Sequence, residues 1–162
     1  MKTYPILIAL SLIFLGGCGA SRMTLEEQEA VAQKTAQKLD SRKFRINVDY
    51  MMPRRGGSKS VFGSYHVTID DTVIDSYLPY FGVAYKVPYG GIAKVLTFKD
   101  DIEEYADSGW NRGKRVIALS TDNDEDFLVY TITVYDDGSA EIQVRCRNRE
   151  DISYRGSLVT DE

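Results

Sequence analysis

Phe127-Leu128-Val129-Tyr130-Thr131-Ile132-Thr133-Val134-Tyr135-Asp136-Asp137-Gly138-Ser139-Ala140-Glu141-Ile142-Gln143-Val144-Arg145 decides the fold. Apolar side chains recur at alternate positions on both sides of Asp136-Asp137-Gly138. A period of two is that of a strand with one buried face. An Asp-Gly pair between two such runs is a strong hairpin signal, because the glycine accepts the positive φ of a tight turn.

The same period extends outward from this hairpin. Upstream, Phe44, Ile46, Val48 and Tyr50 alternate with polar partners, as do Tyr65, Val67 and Ile69 before a break at Asp70-Asp71. Val73 to Leu78 follows, then Ile92 to Phe98 with a break at Asp100-Asp101, then Lys114 to Thr121. Downstream, Ile152 to Val159 completes the series. About eight strands separated by Asp, Gly and Asn turns predict an antiparallel meander. Ahead of them, Thr24-Leu25-Glu26-Glu27 reads as a capping box, with the Thr24 hydroxyl and the Glu27 carboxylate each serving the other's amide. The helix it opens runs to Asp40 and carries a thin stripe of Leu25, Gln28, Ala32, Thr35, Ala36 and Leu39. The expected fold is mainly β: an N-terminal helix, then a meander curled into a lipocalin-like curved sheet or small barrel, since closure removes vulnerable edges. An open sheet with the helix on one face is the alternative. Whether a barrel would be filled or hollow stays open, because small barrels do either.

The N-terminus reads as an export signal. Lys2 precedes the apolar run Ile6 to Leu15, which is too short for the roughly 20 residues a bilayer span needs. Leu15-Gly16-Gly17-Cys18 then forms a lipobox, with small residues before a cysteine that is acylated after cleavage. An ordinary secretory signal cut near Gly19 or Ala20 is the alternative. The expected organisation is a removed signal over 1–17, a lipidated tether over 18–23, and one β-rich domain over 24–162. Several acyl chains on Cys18 would anchor the protein stably. The chain has 2 cysteines; with Cys18 lipidated, Cys146 has no partner for an internal disulfide, and its alternation with Ala140, Ile142 and Val144 places it on an apolar strand face. A net charge of −4 argues against non-specific nucleic-acid binding.

The most distinctive loop is Tyr77-Leu78-Pro79-Tyr80-Phe81-Gly82-Val83-Ala84-Tyr85-Lys86-Val87-Pro88-Tyr89-Gly90-Gly91. Two prolines exclude a regular central strand. Tyr77, Tyr80, Phe81, Tyr85 and Tyr89 make a candidate binding surface, since tyrosine offers area and a hydroxyl at low entropic cost. The same rings could instead plug the barrel end. Arg54, Arg55 and Lys59 beside Gly56-Gly57 are candidate anion contacts. Arg145, Arg147 and Arg149 read as a solvent-facing stripe, and Asp122-Asn123-Asp124-Glu125-Asp126 as a solvated acidic turn. That turn lacks the glycine and the distal glutamate of an EF-hand loop, where Phe127 and Thr133 stand. His66 has no second histidine at metal spacing, and no G-x-S-x-G elbow or P-loop occurs. The reading gives no catalytic residue, metal or cofactor.

The Tyr77–Gly91 segment resembles the signature of a bacterial lipoprotein family called domain of unknown function 4251. Asn148-Arg149-Glu150-Asp151-Ile152-Ser153-Tyr154-Arg155-Gly156 resembles that family's C-terminal signature, and Met52-Pro53-Arg54-Arg55-Gly56-Gly57 its loop before the second strand. Val83 departs from the pattern, which often has a basic residue there. The resemblance runs from the helix to the end of the chain. It implies a lipocalin-like β barrel and a lipoprotein of Bacteroides-like Gram-negative bacteria, and it implies no activity. In some such bacteria acidic residues after the lipidated cysteine direct export to the outer surface. Gly19-Ala20-Ser21-Arg22 contains none, which points to the periplasmic face of the outer membrane. The expected function is a lipid-anchored binding or interaction module. Its partners would be the membrane through Cys18 and a small apolar molecule, a glycan or an envelope protein. The alternatives are a structural or assembly role in the envelope and an enzyme of unrecognised type.

Overall fold

A computed structural model describes residues 23–85, 96–123 and 125–160. The signal, Cys18, Tyr89 and the first part of the Ile92–Phe98 run lie outside the described residues. Helix α1 (Leu25–Asp40) opens with the expected capping box: the Glu27 amide donates to Thr24 Oγ1 at 3.2 Å and the Thr24 amide to Glu27 Oε2 at 2.7 Å. Only the C-terminal half of its stripe is used. Thr35 and Leu39 are buried, whereas Leu25 is exposed. Leu39 joins the main apolar cluster, so α1 docks at its end.

Among the described residues ten strands follow: β1 (Lys43–Pro53), β2 (Lys59–Ser60), β3 (His66–Asp70), β4 (Val73–Tyr77), β5 (Thr97–Asp101), β6 (Glu104–Asn111), β7 (Lys114–Asp122), β8 (Phe127–Tyr135), β9 (Ser139–Cys146) and β10 (Ile152–Leu158). The order across the sheet is β5-β4-β3-β1-β10-β9-β8-β7-β6, with β2 paired to β1. All pairings are antiparallel. The hairpin that decides the fold forms as read, with Ile132 opposite Ile142 and Val134 opposite Ala140. Leu128, Tyr130, Ile132 and Val134 all point inward and are buried. Each such aliphatic side chain contributes about 1.5–3 kcal/mol by leaving water.

The sheet curls into a half-barrel, and the path of the chain explains how its edges meet. Along the strand order from β5 to β6 every step reverses direction, and the number of steps is even. The two edge strands therefore run the same way. They are also consecutive in sequence, joined by Ile102 and Glu103 alone. The Ile102 amide donates to the Thr72 carbonyl on one side, and the Glu103 amide to the Ser120 carbonyl on the other. β5 and β6 are thus two halves of one bent strand, the first paired with β4 and the second with β7. The ladder rows show the stagger that curling requires. Asp101 connects through Val73 and Asp70 to Lys43 at the start of β1. Tyr105 connects through Leu119, Tyr130, Val144 and Ile152 to Pro53 at the end of the same strand.

Three local readings change. A bulge between Val48 and Tyr50 reverses the phase of β1, so Met51 turns inward and Tyr50 outward. β6 was not expected as a strand, because a second irregularity between Asp107 and Trp110 disrupts its alternation. Asp100-Asp101 does not break β5 but completes it at an exposed edge.

The space inside the curl is filled. Ile46, Val67, Ile69, Ile74, Ile117, Ile132 and Val144 have no water-accessible surface. A hollow large enough for a ligand would leave them some. Tyr130 and Tyr154 occupy the interior at 0% exposure. The Tyr130 hydroxyl meets Ser76 Oγ at 3.1 Å across the barrel, which satisfies a buried polar group.

Candidate functional site

The site forms at the end of the barrel where β4 ends and β8 begins, the end opposite α1. β1 spans the two: its first residues follow α1, and its last lead to Arg54. Leu78 still pairs, its amide donating to the Leu96 carbonyl. Pro79 then ends the ladder, having no amide to donate, and its carbonyl accepts from the buried Tyr154 hydroxyl at 2.7 Å. The Tyr80 hydroxyl donates to the Glu150 carbonyl at 2.9 Å. Burial pushes its pKa up to about 12. Gly82 lets the chain fold back over that ring; an added Cβ would meet the Tyr80 hydroxyl at 2.5 Å.

The next residues are stitched to the segment before β10. The Glu150 amide donates to the Val83 carbonyl, and the Tyr85 amide to the Asn148 carbonyl. The Val83 amide donates to Glu150 Oε2 at 3.1 Å, and Ala84 pairs with Arg149 as an isolated bridge. Every one of these bonds holds backbone or Tyr80. Phe81, Val83 and Tyr85 are left 50%, 48% and 64% exposed.

An ion pair lies beneath the loop. Arg149 is 2% exposed, and its Nε donates to Asp126 Oδ2 at 3.1 Å. Asp126 Oδ1 accepts from the amides of Arg147 and Asn148, both at 3.0 Å. Among the described residues the two terminal nitrogens of Arg149 have no hydrogen-bond partner; Glu125 Oε2 stands 3.9 Å away, and the Tyr80 ring centroid 5.6 Å from the guanidinium. This corrects two expectations. Arg149 does not share a solvent-facing stripe with Arg145 and Arg147, and Asp126 is not part of a solvated turn. β9 ends at Cys146, so its alternation does not carry on to residue 149.

The candidate residues are brought together in part. Arg55 Nε lies 3.2 Å from Glu150 Oε1, with the Glu150 side chain only 5% exposed. Lys59 Nζ sits 3.7 Å over the Phe81 ring. Arg55, Tyr80, Phe81, Gly82, Val83 and Glu150 line a surface pocket of about 290 Å³. Arg54 is exposed beside it. Tyr77 stands apart, on the outer face of β4, stacked on Tyr65 at 5.3 Å between centroids. Tyr89 is outside the described residues. Sequence reasoning missed Glu150, Asp126 and Arg149 as one assembly. Arg149 and Glu150 were signalled only by their place in the Asn148–Gly156 stretch and Asp126 only by the acidic run 122–126, because no periodicity marks residues in a connection.

His66 and Cys146 stand away from this pocket's lining. His66 Nδ1 donates to the Ser64 carbonyl at 2.7 Å. Cys146 packs against the core, and burial raises its thiol pKa to about 12. Among the described residues no three His, Cys, Asp or Glu side chains gather as metal ligands would. No helix among them is long and apolar enough to cross a membrane.

Helix α1 docked on a filled, curled meander, with one end closed by a clamped aromatic loop, defines a small β-rich class. Within it, the chain belongs to the family described as domain of unknown function (DUF4251), whose model matches residues 26–158. It is also similar to the crystal structure of a DUF4251 family protein from Bacteroides eggerthii, with a TM-score of 0.59 and 18% identity, covering 82% of this chain and 91% of that one. At that identity the likeness speaks for the fold alone. No curated protein matches the chain.

Proposed function

We propose that the chain is a lipid-anchored cell-envelope protein that binds rather than catalyses, and that it meets its partner through the barrel end built by residues 54–62 and 79–85. One observation carries this reading. The loop is fixed from below by Tyr154, Tyr80 and Glu150, yet Phe81, Val83 and Tyr85 are held out in water. A preordered apolar surface binds at lower entropic cost than a mobile one. Phe62, 89% exposed on the neighbouring loop, extends it.

The filled interior supports surface recognition over a carried apolar ligand, and so favours an envelope protein or glycan. The lipobox at Leu15–Cys18 supports anchoring, and the absence of acidic residues in Gly19–Arg22 supports the periplasmic face of the outer membrane. The described chain begins at α1, which docks at the other end of the barrel. An anchor at Cys18 would therefore leave the aromatic end facing away from its membrane.

Photo-crosslinking in intact cells tests the reading. A crosslinking residue at Phe81 should give one discrete adduct, and one at Asp137, beside α1, should not. Equal labelling from both positions, or none from Phe81, would remove the proposed surface.

A further inference from the structure

The pocket at this end has an uncommon arrangement of charge. Its floor is a carboxylate almost fully withdrawn from water: Glu150, at 5% side-chain exposure. Burying a carboxylate is costly unless it is both paired and hydrogen-bonded. Glu150 Oε2 has the Val83 amide. Oε1 has Arg55, whose own side chain is 76% exposed. Exposed partners contribute little, because solvent screens them and ordering the side chain has an entropic cost. Tyr80 and Phe81 line the same pocket, and aromatic faces attract cations. Lys59 already lies over Phe81, and Arg149 stands beyond Tyr80. A buried carboxylate in a pocket that two aromatic side chains also line suits an organic cation.

The residues that now supply the cations are loosely held. Arg55 and Lys59 flank Gly56 and Gly57, both at positive φ, and Lys59 belongs to a strand of two residues. We propose that the Glu150 pocket is a recognition site for an alkylguanidinium or alkylammonium group on the partner. In the free protein Arg55 occupies it as a self-ligand. The proposal rests on the reading of this end as a binding surface, and it inverts the role expected for Arg55. Arg55 competes with the ligand instead of attracting an anion.

The test uses the full-length chain in detergent micelles, following the Val83 amide by NMR. N-acetyl-argininamide is the probe, and N-acetyl-norleucinamide is its uncharged counterpart. The arginine probe should shift Val83 saturably and the norleucine probe should not. Arg55→Ala should tighten the arginine probe about tenfold, as expected if the self-ligand fills the site some nine-tenths of the time. Lys114→Ala, an exposed position at the α1 end of the barrel, should change nothing. Glu150→Gln, which keeps the acceptor for Val83, should abolish binding. Weaker binding in Arg55→Ala, or equal shifts from both probes, would overturn the proposal. Arg55→Ala alters an exposed side chain, so the test survives if Glu150→Gln fails to fold. If the probe fails while Phe81 still crosslinks in cells, the cation site falls and the binding surface stands; if both fail, both fall.

Discussion

Arg149 and Asp126 form a buried ion pair, Nε to Oδ2 at 3.1 Å, that joins the β7–β8 turn to the segment on which the aromatic loop rests. Their side chains are 1% and 0% exposed. The pair organises this end of the barrel, because Asp126 also caps the amides of Arg147 and Asn148. The shape of the candidate site therefore depends on charges that never reach its surface.

Removing one partner should be severe. Asp126→Asn leaves a buried guanidinium with only the more distant Glu125 carboxylate, 3.9 Å away, as counter-charge. The expected loss is about 3–5 kcal/mol, the range for breaking a buried pair, read from urea unfolding. Adding Arg149→Met should recover part of it. A loss below about 1 kcal/mol would place the pair with ordinary surface bridges.

The aromatic loop should divide into structural and presented residues. Tyr80→Ala removes a half-buried ring and its bond to Glu150, with an expected loss of about 1–3 kcal/mol. Phe81→Ala and Tyr85→Ala should each change stability by less than about 0.5 kcal/mol. Chemical denaturation of the three variants measures this. If all three unfold alike, the loop is core and its exposed side chains are not free to bind.

Alkali should destabilise the fold before it harms exposed groups. Burial raises Cys146 from 9.0 to about 12 and Tyr80 from 10.0 to about 12. The folded state then holds these protons more tightly than the unfolded chain. The stabilisation is full below pH 9 and is lost as pH rises from about 9 to about 12. Urea midpoints should fall from pH 8.5 to pH 11, and Cys146→Ala should flatten the first part of that slope. An unchanged midpoint across this window would show the thiol and phenol to be solvated.

Gly156 should tolerate no side chain. It lies in β10 opposite Val48, beside the β1 bulge, and a Cβ there would overlap the backbone of Asn47. Backbone cannot move aside as a flexible side chain can. Gly156→Ala should abolish the cooperative thermal transition followed by circular dichroism; a variant melting within a few degrees of the parent chain would disprove the close contact.

The strands were legible wherever one face is buried without interruption. Val67 and Ile69, Leu128 to Val134, and Ala140 to Val144 alternate in sequence and in burial. The capping box at Thr24 was equally direct, since it needs only local atoms. Legibility failed where the phase shifts. The β1 bulge turned Tyr50 outward, and the irregularity before Trp110 concealed β6. It failed again in connections. Arg149 has the spacing of Arg145 and Arg147, but the strand ends before it and the chain turns the side chain inward. The candidate loop was identifiable from its aromatics and prolines. Its charged groups were not, because Arg55 and Glu150 meet only through tertiary packing.

Native mass spectrometry of the mature protein, extracted gently from its own membrane, tests the central claim that the interior is filled and recognition is external. The account predicts the mass of the lipidated chain starting at Cys18, alone or joined to a partner at the outer surface. A retained molecule of a few hundred daltons that survives removal of surface partners, and that persists in Phe81→Ala and Glu150→Gln, would show a ligand held inside the barrel and contradict it.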